Sequence, residues 1–374
     1  MKVLQLGKFY PIVGGVEKVM WDLTRGISSR GIDCDMLCCC LPADMPEGRE
    51  IRFNEHGRCI CVKAWRKVAA TMISPALVFR LRKISRNYDI IHIHHPDPMA
   101  ALALWLSGFR GKVVLHWHSD ILKQKRLLQL YKPLQSWLLR RADIIVGTSP
   151  VYLESSPFLE GFRDKAVCVP IGIEPLEYDR EAAEAIRARF PGRKIVFSMG
   201  RLVGYKGYGY LVEAASMLPE DHVVVIAGEG PLREELTARI KTLGLEGRVL
   251  LPGYLKHAEA AAWFNACDLY VMSSVWKTEA FGIVQIEAMS CGKPVVSTRI
   301  PGSGVSWVNA HGVSGLTVGT EDSDALAKAI LEITSNNNNF ASYSAGARKR
   351  YESLFTFEEM IDNAINQYKI LISR

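Results

Sequence analysis

Short apolar segments alternate with segments of helical periodicity along the whole chain, and this alternation restricts the possible fold more than any other sequence feature. Short apolar runs separated by helices predict parallel strands with crossover helices, and hence a doubly wound α/β sheet. The first set of predicted strands is KVLQLG (2–7), DMLCCC (35–40), DIIHIHH (89–95), KVVLHWHS (112–119), ADIIVGTS (142–149) and KAVCVPIG (165–172).

The same pattern then starts again, which predicts a second domain of the same kind. Its predicted strands are KIVFSMG (194–200), HVVVIAG (222–228), RVLLPG (248–253), LYVMSS (269–274) and KPVVST (293–298). We expect two Rossmann-like domains, 1–172 and 173–357, and an amphipathic helix at about 358–374 that packs back on one of them. Because such sheets bind ligands beyond the carboxyl ends of their strands, we expect the site in a cleft between the domains.

Composition and charge exclude several classes of protein. The N-terminal apolar run stops after Leu6, and no stretch approaches the roughly 18 apolar residues of a membrane span, so we expect a cytosolic protein. Residues 1–172 carry 25 Lys and Arg against 15 Asp and Glu, whereas the other 202 residues carry 21 against 24. The basic excess of the first half indicates an anionic partner there, and lipid head groups fit better than nucleic acid because no nucleic-acid motif is found.

The cysteine and aspartate patterns leave a metal site as a minor alternative. Nine cysteines do not form a disulfide framework in a chain of this length, and DCDMLCCC (33–40) is typical of a buried strand. His56, Cys59 and Cys61 have no second paired cluster at the spacing of a zinc site. Asp33-Cys-Asp35 matches a metal-binding Asp-x-Asp pattern, but we interpret it as the start of a strand. We therefore expect no metal and no cofactor.

Two glycine-containing turns have the chemistry of an anion site. Gly14 and Gly15 lie between the first strand and an amphipathic helix, where backbone N–H groups can approach an anion. Arg201 and Lys206 lie on a glycine-rich loop after the first strand of the second half. A guanidinium and an ammonium at one site can neutralise a diphosphate leaving group without a metal ion.

TEAFGIVQIEAM (278–289) places Glu279 ahead of a predicted helix and Glu287 inside it. If this helix starts near Phe281 and Gly282, its unpaired N–H groups point at an anion, and Gly282 leaves room for a ligand. Glu279 can then accept hydrogen bonds from sugar hydroxyls, and Glu287 from a ribose. The alternative is a buried helix with two surface glutamates, which the cost of burying an unpaired carboxylate disfavours.

The spacing E-x7-E of Glu279 and Glu287, together with Arg201, Lys206 and GEGP (228–231), resembles the signature of retaining glycosyltransferases of family 4, which have the GT-B fold. The resemblance covers nearly the whole chain. It implies a metal-independent hexosyltransferase that uses a nucleoside-diphosphate sugar, either GDP-mannose or a UDP-sugar. The implied acceptor is a saccharide or a lipid-linked glycan of bacterial cell-surface polysaccharide or lipopolysaccharide synthesis, at the inner face of the membrane.

The resemblance also implies a role for each motif residue. Arg201 and Lys206 would bind the pyrophosphate and Glu287 the ribose, while His118 would contact the donor sugar near the reacting carbon. Further implied contacts are Glu279 with the amides of Ala280, Phe281 and Gly282 for the sugar, Ile283 and Val284 for a phosphate, Gly14 and Gly15 for phosphates or acceptor, and Gly228, Gly230, Pro231 and Tyr254 for the base. The family's usual mechanism is front-face attack, in which the departing diphosphate helps to deprotonate the acceptor.

Two further segments leave alternatives open. In IIHIHHPDP (90–98), strand alternation predicts His92 and His94 on one face and His95 on the other, as core or rim residues. The basic segment from Lys123 to Arg141 has apolar residues at helical spacing, and it either lies on anionic lipid or packs as an ordinary helix with a solvated basic face.

Two other functions remain compatible with the sequence. One is a nucleotide-sugar 2-epimerase of the same fold, and the other is a non-catalytic, donor-binding partner subunit.

Overall fold

The computed structural model describes residues 1–12, 14–68, 71–121 and 125–373, without the side chains of Lys125 and Arg126. The chain forms two compact units: Met1–Ile171 with Phe357–Arg374, and Gly172–Thr356. Within the described residues, no helix has both the length and the apolar character needed to cross a membrane.

The first unit alternates strands and helices. Its elements up to Ile171 are β1 (Lys2–Phe9), α1 (Gly15–Ser29), β2 (Asp33–Cys40), β3 (Glu50–Asn54), β4 (Gly57–Lys63), β5 (Arg66–Val68), β6 (Thr71–Ile73), α2 (Pro75–Ile84), β7 (Ile90–His95), α3 (Pro98–Ser107), β8 (Lys112–Trp117), α4 (Lys125–Arg141), β9 (Ile144–Gly147), α5 (Pro150–Ser155) and β10 (Ala166–Cys168). Three helix starts follow directly from the sequence, since Ser74, Asp97 and Ser149 each cap a helix that has Pro in its first turn.

The second unit repeats this alternation. Its elements are α6 (Arg180–Ala188), β11 (Lys194–Met199), α7 (Tyr208–Ser216), β12 (His222–Ala227), α8 (Arg233–Thr242), β13 (Val249–Gly253), α9 (His257–Ala266), β14 (Leu269–Met272), α10 (Ile283–Ser290), β15 (Val295–Thr298), α11 (Val305–Val308), β16 (Gly315–Val318), α12 (Ser323–Thr334) and α13 (Asn337–Leu354). The chain then returns to the first unit as α14 (Phe357–Ile372).

The first unit is built on an eight-stranded sheet in the order β10-β9-β8-β7-β1-β2-β4-β3, which is parallel except for the β3–β4 pair at one edge. Strand β1 pairs with β2 on one side and β7 on the other, so the direction of winding changes between β1 and β7. The turns after these two strands therefore lie side by side. The terminal helix α14 packs here, because the Tyr368 hydroxyl accepts a 3.0 Å hydrogen bond from Gln5 of β1.

The second unit has a fully parallel six-stranded sheet in the order β13-β12-β11-β14-β15-β16. Counted from β11, this is the strand order 3-2-1-4-5-6 of the Rossmann fold, and the winding reverses between β11 and β14. Ligands of such sheets bind at the carboxyl ends of the two strands that flank this reversal. The loops that follow Met199 and Met272 occupy that position.

The doubly wound α/β prediction is confirmed, but some local expectations were wrong. Strands β3, β4, β5, β6 and β16 were not expected from the sequence. The polar composition of TSNNNNFASYS (334–344) predicts a break, but this segment contains the start of α13, because the side chain of Asn336 caps the backbone N–H groups of Asn338 and Asn339. A run of asparagines is polar, yet its first member is a favoured helix cap.

Candidate functional site

The loops that follow β11 and β14 are joined to each other at the winding reversal of the second unit. The backbone N–H of Val275 donates to the carbonyl of Tyr205 at 2.8 Å, and the Ser273 hydroxyl donates to the carbonyl of Lys206 at 3.0 Å. Gly207 has a φ of +65°, and a methyl group built on it would lie 2.1 Å from the carbonyl oxygen of Ser273. Only glycine permits this close approach, which fixes the position of Lys206.

Lys206 and Glu279 form an ion pair at this point of the fold. The Lys206 Nζ lies 2.6 Å from Glu279 Oε2, and the two side chains are 11% and 14% exposed. The Ser274 hydroxyl donates to the same carboxylate oxygen at 3.3 Å. Burial is the largest single effect and lowers the pKa of Lys206, but the charge of Glu279 and its hydrogen bond, with the charges of Tyr205 and Glu287, raise that pKa overall, so the ammonium keeps its charge.

Helix α10 starts where the sequence predicts and points its N-terminus beside this ion pair. Gly282 is its N-cap residue with a φ of +81°, and the helix has no side-chain cap among the described residues. The backbone N–H groups of Ile283 and Val284 therefore lie at the unpaired, electropositive end of the helix. The preceding loop is held by a 2.9 Å bond from Gly304 N–H to the Ala280 carbonyl and by the amide of Gln285, which donates to the Phe281 carbonyl.

The other predicted residues of the second unit surround Lys206. Glu287 is half-buried on α10, and its charge contributes to the raised pKa of Lys206. Arg201 is exposed at the start of the Lys206 loop, and its charge acts on the neighbouring Tyr205. The structure thus brings together two cations, two carboxylates and a helix N-terminus.

The GEGP turn (228–231) contacts the loop that carries Arg201 and Lys206. The Glu229 carbonyl accepts a 2.9 Å hydrogen bond from the N–H of Leu202, which follows Arg201, and Gly228 N–H donates to the carbonyl of Gly253 at 2.7 Å. Gly230 and Pro231 complete the turn, and Tyr254, which follows β13, is 75% exposed.

In the first unit, the predicted residue His118 belongs to a stack of four buried imidazoles. His92 and His94 come from β7, and His116 and His118 from the end of β8, with ring centroids 3.9–5.2 Å apart. Burial lowers the pKa of all four rings, that of His116 to about 3, so they are neutral at physiological pH. His95 instead stacks on Trp117 at 3.8 Å, which confirms the predicted alternation.

A buried charged group at the β1–β7 reversal was not expected from the sequence. Asp97 accepts a hydrogen bond from the backbone N–H of Lys8, and the Lys8 ammonium donates to the Pro96 carbonyl, each at 2.6 Å. Lys8, Glu17 and Asp97 are all buried, although a glutamate in the first turn of a helix is typical of a surface residue. The available signal was a lysine near the end of the first strand and an aspartate two residues after β7, since both strand ends face the same edge.

Gly14 and Gly15 form the start of α1 in the first unit, as predicted. A methyl group built on Gly14 would lie only 2.2 Å from Glu17 Oε2, so a carboxylate of the chain already faces this helix start. That negative charge disfavours a phosphate at the same turn.

The cysteine and histidine clusters are explained by packing. The sulfur atoms of Cys38, Cys59 and Cys61 lie 3.6–3.8 Å apart, the distance of ordinary contact, in a core cluster that includes Met20 and Met36. His56, the third member of the zinc alternative, bonds instead to Asp33 at 3.0 Å. The His92, His94 and His116 rings also lie close enough for a metal, but both nitrogens of His94 are within hydrogen-bond distance of protein atoms.

The basic segment of α4 has exposed leucines, and at least one of its cationic side chains is engaged within the fold. Lys123 lies outside the described residues, as do the side chains of Lys125 and Arg126. Arg141 is engaged within the fold, because it donates to Asp143 at 3.2 Å and to the Phe109 carbonyl. Leu127 and Leu130 are 52% and 81% exposed. They border a mostly apolar cavity of about 370 Å³ whose other lining residues include Ile73, Pro98, Leu102, Tyr131 and Leu134.

Comparison with known proteins agrees with this geometry. Residues 13–175 match the family model described as Glycosyltransferase Family 4, and residues 179–350 match the model described as Glycosyl transferases group 1. The O-antigen chain mannosyltransferase C of Escherichia coli is 34% identical to this chain, over 100% of it and 99% of the relative. The D-rhamnosyltransferase WbpZ of Pseudomonas aeruginosa is 33% identical, over 95% and 92% of the two chains.

Solved structures support the fold. Anabaena Alr3699/HepE, solved in complex with UDP, superposes with a TM-score of 0.82 at 22% identity over 99% of this chain and 100% of that chain. Sucrose-phosphate synthase from Thermosynechococcus elongatus gives a TM-score of 0.80 at 22% identity, with full coverage of both chains. One assignment follows from the two Rossmann-like units, the full-length relative of 34% identity and the two family matches. The chain is a hexosyltransferase of glycosyltransferase family 4, with the GT-B fold.

Proposed function

We propose that this enzyme transfers a manno-configured hexose from a nucleoside diphosphate to a saccharide or lipid-linked glycan, with retention of the anomeric configuration. The observation that carries the proposal is the Lys206–Glu279 pair beside the open N-terminus of α10. The choice of sugar is supported by the two relatives named as a mannosyltransferase and a D-rhamnosyltransferase, because rhamnose is 6-deoxymannose. GDP-mannose is therefore the first donor to test.

In this proposal the cations of the second unit neutralise the diphosphate. An ammonium has three N–H donors, so Lys206 can hold Glu279 and still donate to a phosphate oxygen. Arg201 offers a planar fork of donors suited to the other phosphate. The amides of Ile283 and Val284 at the helix N-terminus add backbone donors to a phosphate. No metal ion is required for this charge balance, so transfer should continue in the presence of a chelator.

The carboxylates position the sugars. Glu279 accepts hydrogen bonds from hydroxyls of the transferred hexose, and the amides of Ala280, Phe281 and Gly282 donate hydrogen bonds to its oxygens. Glu287 accepts hydrogen bonds from the ribose. Further assignments are Gly228, Gly230, Pro231 and Tyr254 to the base, His118 to the transferred sugar, and Gly14 and Gly15 to the acceptor.

A single front-face displacement accounts for retention better than a covalent intermediate. A double displacement needs a free carboxylate as nucleophile beneath the sugar. The Glu279 carboxylate is instead engaged by the Lys206 ammonium and the Ser274 hydroxyl, which reduces its nucleophilicity. The departing diphosphate, held by Arg201 and Lys206, then accepts the proton of the attacking hydroxyl.

Thermal unfolding of the full chain against a panel of nucleotide sugars tests the donor assignment, since a ligand that binds only the folded state raises the melting temperature. We expect the largest shift with GDP-mannose, measured beside GDP-rhamnose, UDP-glucose and UDP-N-acetylglucosamine. NMR of the transfer product should then show the donor's anomeric configuration. An inverted product contradicts the retaining mechanism, formation of a 2-epimer without acceptor supports the epimerase alternative, and no shift with any donor contradicts the proposal.

We further propose that the acceptor is lipid-linked and that the enzyme works at the inner membrane face. The support is the apolar cavity beside α4, the exposed Leu127 and Leu130, and the basic excess of the first half. Leu127→Glu and Leu130→Glu should each reduce sedimentation with vesicles containing anionic phospholipid. Leu243→Glu, at a position 40% exposed in the second unit, is the control. Equal binding by all three variants contradicts the membrane role.

A further inference from the structure

A continuous chain of hydrogen bonds runs through the interior of the first unit and ends on the His118 ring. His118 Nε2 lies 2.9 Å from His94 Nδ1, and His94 Nε2 lies 2.8 Å from Gln5 Oε1. The Gln5 amide nitrogen donates to the Tyr368 hydroxyl at 3.0 Å, and that hydroxyl lies 2.5 Å from His92 Nδ1. The members come from β1, β7, α14 and the residue that follows β8, and all are at most 5% exposed.

The glutamine gives this chain a direction. An amide oxygen only accepts hydrogen bonds, so the His94 Nε2 next to it must carry a proton. A neutral imidazole has one N–H, so His94 Nδ1 carries a lone pair and accepts from His118. The proton of His118 therefore lies on Nε2, and its Nδ1 is an acceptor. At the other end, the Tyr368 hydroxyl accepts from Gln5 and so donates to His92.

Burial keeps these rings neutral, which the direction of the chain requires. Desolvation is the largest cause of the lowered pKa values of His92, His94 and His118, and the neighbouring imidazoles add to it. His118 is the most exposed ring of the stack, at 5%. Within the described part of the chain, its Nδ1 has no hydrogen-bond partner, so this atom is left for a ligand.

We propose that Gln5, His94 and Tyr368 are positioning residues that hold His118 in its neutral Nε2–H tautomer and present the Nδ1 lone pair to a hydroxyl of the transferred sugar. The identity of the ligand rests on the proposed function, whereas the tautomer depends on the first unit alone. In this arrangement His118 accepts a hydrogen bond from an O–H group and does not donate a proton to the leaving diphosphate.

The opposite orientation of the Gln5 amide would reverse every proton in the chain and make His118 Nδ1 a donor. The two states are distinguished by long-range proton–nitrogen NMR of the full chain labelled with nitrogen-15 in histidine, because protonated and unprotonated ring nitrogens have well-separated shifts. His118→Asn identifies the His118 signal by its loss. We expect Nε2 protonated and Nδ1 unprotonated in the nucleotide-free enzyme at pH 7.5. The Nδ1–H tautomer, or an exchanging mixture, overturns the proposal.

Variants of His94 test whether the chain causes this tautomer. In His94→Asn the side-chain oxygen replaces Nδ1 as acceptor for His118, whereas His94→Leu removes the acceptor. We expect His94→Asn to keep the Nε2–H tautomer and His94→Leu to give a mixture. His116→Leu is the matched control, since its ring stacks on His118 at 3.9 Å and neither ring nitrogen is hydrogen-bonded within the described residues. A changed tautomer in this control overturns the assignment to the chain.

Transfer kinetics test the consequence for catalysis. One neutral hydrogen bond is worth up to about tenfold in rate, so His94→Leu should lose up to about tenfold in kcat/KM and His94→Asn should recover most of it. Should His94→Leu fail to fold, Tyr368→Phe removes only the hydroxyl that orients Gln5 and should also populate the second tautomer. A mixed tautomer with unchanged kcat/KM overturns the positioning role. Since the NMR measurement needs no substrate, it is independent of whether the proposed donor is used.

Discussion

The ammonium of Lys206 lies 2.6 Å from a carboxylate oxygen of Glu279, a residue 73 positions further along the chain. The two side chains meet because β11 and β14 are neighbours in the sheet although two strands separate them in sequence. The loop that carries Lys206 is held against the strand end by Ser273 and Val275. These contacts within the chain hold the pair in place, so the site is preorganised to bind a charged ligand.

The first prediction concerns the energetic coupling of this pair. Lys206→Met leaves a largely buried carboxylate without its cation and should lower the free energy of unfolding of the second unit by about 1–3 kcal/mol. Adding Glu279→Gln removes the unpaired charge and should recover more than half of the loss. Urea unfolding of both single variants and the double variant gives the coupling energy. Additive losses in the double variant contradict a coupled pair.

Glu287 should act on donor binding more than on the chemical step. We expect Glu287→Gln to weaken nucleotide-sugar binding about tenfold, because hydrogen bonds to a carboxylate are each worth about 1.5–3 kcal/mol and the amide retains part of them. Isothermal titration of the donor measures this change. Glu235→Gln on α8, a surface carboxylate of the same unit, is the control. An unchanged donor affinity in Glu287→Gln contradicts its assignment to the ribose.

The helix start at Gly282 should tolerate no side chain. A methyl group at Gly282 would lie 2.8 Å from the Met272 sulfur and 2.7 Å from the Gln285 amide nitrogen, which is buried and bonded to the Phe281 and Val305 carbonyls. Gly282→Ala therefore combines backbone strain with crowding. We expect it to cost about 1–3 kcal/mol more than a substitution that introduces strain alone.

Gly244→Ala provides that comparison. Gly244 also has a positive φ, +65°, but a methyl group there meets nothing within 4 Å. Thermal or urea unfolding of the two variants isolates the crowding term. Equal losses of unfolding free energy in the two variants would contradict the crowding at Gly282.

The buried imidazole stack predicts a loss of stability at mildly acidic pH. The pKa values of His92, His94, His116 and His118 are lowered in the folded chain, so the unfolded chain binds more protons below its ordinary histidine pKa of about 6.5. Stability is then fully present above that pH and falls as the pH decreases, by about 1.4 kcal/mol per unit for each ring. For His116, the stability continues to fall until the pH reaches the pKa of the folded chain, about 3.

Urea unfolding at pH 7.5 and 5.5 measures this slope. His116→Leu should reduce it by about one proton. A slope that does not change in His116→Leu contradicts the assignment of a lowered pKa to that ring.

Local patterns were sufficient for the repeating architecture and for the helix that begins at Ile283. Apolar strands, side-chain caps such as Asp97, and the Gly282 turn each act over a few residues. The proximity of Lys206, Glu279 and Glu287 was also predictable once the order of parallel strands was assumed, because strand ends at a winding reversal converge.

The interactions that were missed depend on long-range contacts. The buried Lys8 donates its backbone N–H to Asp97, 89 positions away, and no local pattern specifies that contact. The Gln5–Tyr368 bond joins residues 363 positions apart, so the role of Gln5 in orienting the histidine stack could not be inferred from β1. The β3–β4 pair was missed because its strands are short and the residues between Asn54 and Gly57 form a polar turn between them.

The most direct test of the account is the transfer rate of variants that lack one of the two proposed diphosphate-binding cations. We expect Lys206→Met and Arg201→Ala each to lower kcat/KM by a factor on the order of 10²–10³, because charge that develops on the leaving diphosphate is no longer neutralised. Lys241→Met, on the exposed surface of α8, should keep the wild-type rate. Near-wild-type turnover by both Lys206→Met and Arg201→Ala would contradict the proposed role of this site.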